Sequence, residues 1–270
     1  MQGLTDFIPT DTKAAYINQL LKVGFDVIDF GSFVSPKAVP QMQDTALVLD
    51  RLDPSDHTKL LAIVANIRGA QEASLHEQID YLGFPLSVSE TFQLRNTNQS
   101  ILKALESTGQ IQEICQRYNK ELVVYISMGF GNPYGDPYDE GVVLSFVDRL
   151  NQMGISSLAL SDTIGVATPE QISSLFTKVT TAFPAMEVGV HLHSRVEEAT
   201  EKIAAAHKAG CRRFDGALMG FGGCPMAEDE LVGNIPTELI VEYLEREEGI
   251  KKVDRTALSK CLKMATSIFP

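Results

Sequence analysis

The chain has 270 residues, 44% of them apolar, and a formal charge of −12. That is enough apolar material for one large α/β domain or two smaller ones, and too much negative charge for a general nucleic-acid or anionic-membrane surface. No run is long and uncharged enough to span a bilayer, and residues 1–13 lack the apolar stretch of a secretion signal. The four cysteines (Cys115, Cys211, Cys224 and Cys261) form no Cys-x-x-Cys pair, so reduced thiols and a cytoplasmic location are expected.

Helix-period segments alternate with short apolar runs along the whole chain. The pattern predicts helix 11–23, strand 25–30, helix 38–51, strand 59–65, a short helix near 68–76 and strand 78–84. A helical region over 90–118 with a break follows, then strand 121–128, helix 138–152, strand 156–161 and helix 169–182. Strand 186–193, helix 195–208, strand 211–217, helix 236–247 and a closing amphipathic helix over 254–268 complete the reading. Gly24, Gly154 and Gly210 each stand where a helix gives way to a strand. A glycine there can take the left-handed conformation that closes a last helical turn. Thr168-Pro169-Glu170-Gln171 has the residues of a capping box with proline at the first helical position.

Helix, glycine, strand at wide spacing is half of a repeated βαβ unit, which builds a parallel sheet. No long polar linker interrupts it, so residues 1–270 read as a single domain. Seven strands are visible, whereas a closed (β/α)8 TIM barrel needs eight. The chain starts with a loop and a helix. Either the sheet is open with seven strands, or strand one lies upstream of Met1.

In such a fold chemistry gathers where strands end. Val188-Gly189-Val190-His191-Leu192-His193 is a strand whose i, i+2 spacing can aim two imidazoles at one point, where a divalent metal would fit. Two hydrogen-bonded or exposed histidines would have the same spacing. Asn234 could add a carbonyl oxygen, or could simply shape the turn before Pro236. Cys224, in Gly220-Phe221-Gly222-Gly223-Cys224-Pro225, reads either as a small residue in a turn or as an acid or nucleophile on a closing loop. That glycine run lacks the strand–turn–helix setting of a dinucleotide motif. Asp29 and Asp162 could orient ligands or cap helices. His57, His76 and His207 read as surface or structural residues, and Arg212 and Arg213 as solvated ends of a strand.

Several stretches occur together in one order: Ser32-Phe33-Val34-Ser35-Pro36-Lys37, Val39-Pro40-Gln41-Met42, Ser161-Asp162-Thr163-Ile164-Gly165, His191-Leu192-His193, Gly222-Gly223-Cys224-Pro225 and Gly233-Asn234-Ile235-Pro236-Thr237-Glu238. In sequence and order they resemble the 3-hydroxy-3-methylglutaryl-CoA lyases, metal-dependent TIM-barrel enzymes with an Arg-Asp signature at the end of strand one. The resemblance implies retro-Claisen cleavage of a 3-hydroxy-3-methylglutaryl-CoA-type thioester to acetyl-CoA and acetoacetate, in leucine degradation. It further implies that His191, His193 and Asn234 ligate Mg²⁺ or Mn²⁺. Cys224 would serve as general acid or lid residue and His191 would join in proton transfer. Asp29, Asp162 and Glu238 would take orienting roles. An acyl-CoA is the implied partner, with Ser32 and Arg195 near it, and a homodimer is an assembly open to the chain.

Three departures stand out. The Arg-Asp pair is absent, and in relatives it directly precedes a segment like Met1-Gln2-Gly3. The expectation is therefore a chain lacking strand one, with little activity of its own. Asp29 replaces the usual Glu, and Ser194-Arg195 replaces the usual Asp-Thr after the histidines. Two other functions fit the same features: a Claisen-condensing acyl-CoA synthase of the same superfamily, and a non-catalytic barrel that binds a CoA ester.

Overall fold

The computed structural model describes Met1, Leu4 and residues 6–222, 232–249 and 253–269. Among them seven strands form one parallel sheet, laid side by side in chain order. The strands are β1 (Val27–Phe33), β2 (Lys59–Val64), β3 (Tyr81–Ser87), β4 (Glu121–Ser127), β5 (Ser157–Asp162), β6 (Glu187–Leu192) and β7 (Phe214–Asp215). The helices are α1 (Thr10–Leu21), α2 (Thr45–Leu49), α3 (Ile67–Ser74), α4 (Glu90–Thr97), α5 (Ile101–Arg117) and α6 (Glu140–Gln152), then α7 (Pro169–Ala182), α8 (Val196–Lys208), α9 (Thr237–Glu248) and α10 (Arg255–Ile268). The result is a TIM barrel open along one side, because β1 and β7 do not pair with each other.

Alternation along each strand sorts the side chains. Ile28, Phe30, Leu82, Phe84, Leu122, Val124, Leu158, Leu160, Val188 and Val190 pack outward against the helices in the main core. The other set points into the barrel. A Cβ on Gly83 would fall 2.6 Å from Ile63 and 3.0 Å from Tyr125, which shows how tightly that interior is filled. On β1 the inward residues Val27 and Asp29 reach solvent at the open side. The β1–β2 register slips between Asp29 and Gly31, a bulge that re-aims the end of β1.

The helical layer closes where the sheet does not. One face of α10 packs on α1 in a second apolar cluster containing Ile8, Tyr16, Val23, Leu258, Cys261 and Phe269. Tyr16 and Phe269 meet edge to face at 5.4 Å. Arg255 at the start of α10 bonds Glu245 of α9 at 2.6 Å.

Local signals and structure agree at most junctions. Gly24, Gly154 and Gly210 all have positive φ, and Thr168 and Gln171 form the capping box. The segment predicted as one helix over 38–51 does not form one. It is a single 3-10 turn, Pro40–Met42, followed by the short α2. Hydrogen bonds hold this segment to the N-terminal stretch: Lys13 donates to the Gln41 carbonyl and to Asp44, and Gln41 accepts from the Ile8 amide. The predicted strand 211–217 shrinks to Phe214–Asp215. Beyond it the Ala217 amide turns to the Ile235 carbonyl at 3.1 Å, so the chain pairs with its own returning segment.

Candidate active site

β6 lies between β5 and β7, and its register places His191 beside Ser161 on one side and Asp215 on the other. His193 follows the strand, with its amide donating to the Asp162 carbonyl at 3.3 Å. The stretch Val232–Pro236 then comes back to the mouth of the barrel. The Ile235 amide bonds the Leu192 carbonyl and the Ser194 amide bonds the Gly233 carbonyl, which sets Asn234 opposite His193. This return path needs a glycine at 220. Its φ is +67°, and a Cβ there would lie 2.8 Å from the Asn234 carbonyl oxygen.

Hydrogen bonds set which atoms face the site. His193 Nδ1 lies 2.9 Å from the Val232 carbonyl oxygen. A carbonyl only accepts, so Nδ1 carries the proton and Nε2 keeps its lone pair. Burial, reinforced by His191, lowers the His193 pKa to about 4, so the ring is neutral near pH 7. Asn234 donates Nδ2–H to the Phe221 carbonyl at 3.2 Å, leaving Oδ1 as its outward acceptor. The two imidazole rings stand 5.5 Å apart. A lone-pair nitrogen and a carbonyl oxygen, held by second bonds behind them, suit a divalent cation. Among the described residues the buried atoms His191 Nδ1, Asp215 Oδ2 and, at the end of β1, Ser32 Oγ have no hydrogen-bond partner. Among the described residues no third His, Cys, Asp or Glu completes a metal-binding group with the histidine pair.

The remaining predicted residues divide. Asp29 points into the barrel at its open side. Although the residue as a whole is exposed along that side, crowding around its carboxyl group strips water from it and raises its pKa to about 7, against the pull of the Gly31 amide and then His191. Asp162 does not aim its carboxylate at the histidines. Its oxygens accept from the amides of Val166 and Ala167 at 2.9 and 3.0 Å and from Lys202 at 3.3 Å, which shapes the loop after β5. Burial is the largest influence on Asp162 and raises its pKa. Glu238 accepts from the Met219 amide at 3.0 Å, at the start of the returning segment. Arg195 stands at the N-cap position of α8 without a side-chain capping bond and, with Asn234 and Gly220, lines a cavity of about 480 Å³. Ser32 is buried at the end of β1. Cys224 lies outside the described residues.

Four residues here carry no motif in the sequence. Asp215 faces His191, and the Tyr125 ring meets the His191 ring edge-on at 5.6 Å. Lys202 of α8 is 3% exposed and also donates to the Gly165 and His193 carbonyls, at 2.9 and 3.1 Å. Arg213 is not a solvated strand end. It enters the barrel and bonds Ser157 at 2.6 Å, over Gly189, where a Cβ would sit 3.0 Å from its side chain. Arg212 is exposed, as expected.

The family model described as HMGL-like matches residues 1–265. The chain belongs to the hydroxymethylglutaryl-CoA lyase family. It is 34% identical to a hydroxymethylglutaryl-CoA lyase of Bacillus subtilis over 91% of this chain and 82% of that protein. It is 32% identical to the cytoplasmic 3-hydroxy-3-methylglutaryl-CoA lyase of Rattus norvegicus, over 90% of this chain and 71% of the relative. The solved Bacillus subtilis lyase superposes with a TM-score of 0.92 at 32% identity, covering 99% of this chain and 89% of that one. An HMG-CoA lyase from Acinetobacter baumannii, solved in complex with coenzyme A and 3-methylmalate, gives a TM-score of 0.91 at 30% identity, covering 99% of this chain and 87% of that one. No helix among the described residues of this family member is long and apolar enough to cross a membrane.

Proposed function

We propose that this protein cleaves a 3-hydroxy-3-methylglutaryl-CoA-type thioester to acetyl-CoA and acetoacetate, in leucine degradation. The observation that carries the reading is the pair of acceptors at the barrel mouth, His193 Nε2 and Asn234 Oδ1. Each is fixed by a hydrogen bond from the far side of its own group, in a chain that belongs to a lyase family. His191, His193 and Asn234 would hold Mg²⁺ or Mn²⁺, which supplies Lewis acidity toward the substrate's oxygens when bound.

The chain's own groups account for the rest. His191, at the end of β6, takes part in moving the proton off the tertiary hydroxyl, a role open to its Nε2 only while that nitrogen is off the metal. The bond between C2 and C3 then breaks, the oxygen becomes the ketone of acetoacetate, and the electron pair moves into the thioester enolate. Cys224 donates a proton to that enolate carbon and so yields acetyl-CoA. Arg195, on the wall of the cavity, faces the anionic substrate. Asp29, Asp162 and Glu238 orient the loops, and Ser32 offers an unpartnered hydroxyl to the ligand.

This chain and one extended upstream by strand one with its Arg-Asp pair are each incubated with the thioester and Mn²⁺ or Mg²⁺, and both products are followed, with turnover expected from the extended one. Acetoacetate is read with a reducing dehydrogenase and acetyl-CoA by coupling to citrate formation. Equal yields of the two, lost on chelation and in His193→Ala, are expected. No acetoacetate with either metal would reject the lyase reading.

A further inference from the structure

We propose that Asp215 is a positioning residue that locks His191 with its proton on Nδ1, leaving Nε2 as the lone-pair nitrogen. The use of that nitrogen at a metal rests on the function proposed above, but the lock itself does not.

Three observations converge. The β6–β7 register makes His191 and Asp215 direct neighbours. Both point into the barrel, and His191 Nδ1 lies 3.5 Å from Asp215 Oδ2. Among the described groups, these two atoms are buried with no hydrogen-bond partner, one on each side of the same short gap. A buried polar atom left unpaired is costly. Closing the gap by a few tenths of an ångström, to the usual N–H···O distance, satisfies both at once.

Neighbouring groups leave Asp215 little alternative. Arg213, two residues earlier, is committed to Ser157 at 2.6 Å. The edge of the Tyr125 ring rests against the imidazole and confines how far it can turn. A carboxylate can only accept, so the bond fixes the tautomer as well as the ring plane. The backbone carbonyl of Val232 does the same for His193. Both histidines of the pair would then present Nε2, one held by a carbonyl and the other by a carboxylate.

The test is nitrogen NMR of protein labelled at its five histidines, metal-free at pH 8, where free imidazole is neutral. His191 is assigned by its loss in His191→Asn. The expected wild-type signal is protonated Nδ1 and unprotonated Nε2. Asp215→Asn keeps an acceptor and retains that pattern, whereas Asp215→Ala shifts His191 toward the Nε2–H form. A wild-type His191 with its proton on Nε2 would overturn the proposal without any variant. An unchanged tautomer in a folded Asp215→Ala would overturn it as well. Mn²⁺ affinity, read by electron paramagnetic resonance, should fall about 10- to 100-fold in Asp215→Ala. Wild-type protein that shows the Nδ1–H form yet binds no Mn²⁺ supports the lock and rejects the metal reading of the function.

Discussion

Replacing Lys202 with methionine tests how the histidine strand is held. Methionine keeps most of the buried stem and removes the charge. The ammonium now serves three acceptors: Asp162 Oδ2 at 3.3 Å, the Gly165 carbonyl at 2.9 Å and the His193 carbonyl at 3.1 Å. Lys202 and Asp162 are 3% and 1% exposed, so water cannot replace what is lost. Removing one partner of a buried pair costs about 3–5 kcal/mol. Asp162 keeps the Val166 and Ala167 amides, which argues for the lower end, about 3 kcal/mol. The assay is urea unfolding followed by circular dichroism, compared through midpoints at unchanged slope. In the double variant Lys202→Met/Asp162→Asn the stranded charge is gone, and about half of the loss should return. A single-variant loss below about 1 kcal/mol would refute the idea that this lysine clamps the ends of β5 and β6.

Two further expectations follow from other parts of the chain. The Asp29 carboxyl is raised from its ordinary value to about 7, so its neutral form favours the fold. That contribution is complete below the ordinary carboxylate range and is lost as pH rises through 7. Asp29→Asn should therefore gain stability over wild type at pH 8 relative to pH 5 in urea melts, and an equal difference at both values would contradict it. Thr168→Ala removes the capping hydroxyl of α7 and should cost about 1 kcal/mol. Thr168→Ser should recover most of it, as read by thermal melts.

What the sequence made legible was local. The capping box at Thr168 and the glycines at 24, 154 and 210 act within a few residues, and each fixed an element boundary. His191 and His193 showed as a pair because strand alternation is also local. Elements whose form depends on distant partners were misread. Residues 38–51 look helical until Lys13 and Ile8 claim Gln41 and Asp44. Strand 211–217 looks complete until the returning segment captures Ala217. Asp215, Lys202 and Arg213 gain meaning only through register and packing. No motif marks them, because their partners lie 24, 40 and 56 residues away in the chain.

The packing of α10 on α1 sets a timetable for synthesis. The face of α1 that carries Tyr16 is translated well before its cover, since the helix that packs on it comes more than two hundred residues later. At ordinary ribosomal speed that interval is roughly ten to fifty seconds. During it Ile8, Tyr16 and Val23 have no cover from α10 and offer a sticky apolar stripe. A chaperone that engages residues 8–23 as they emerge would act at a stretch whose native cover arrives late.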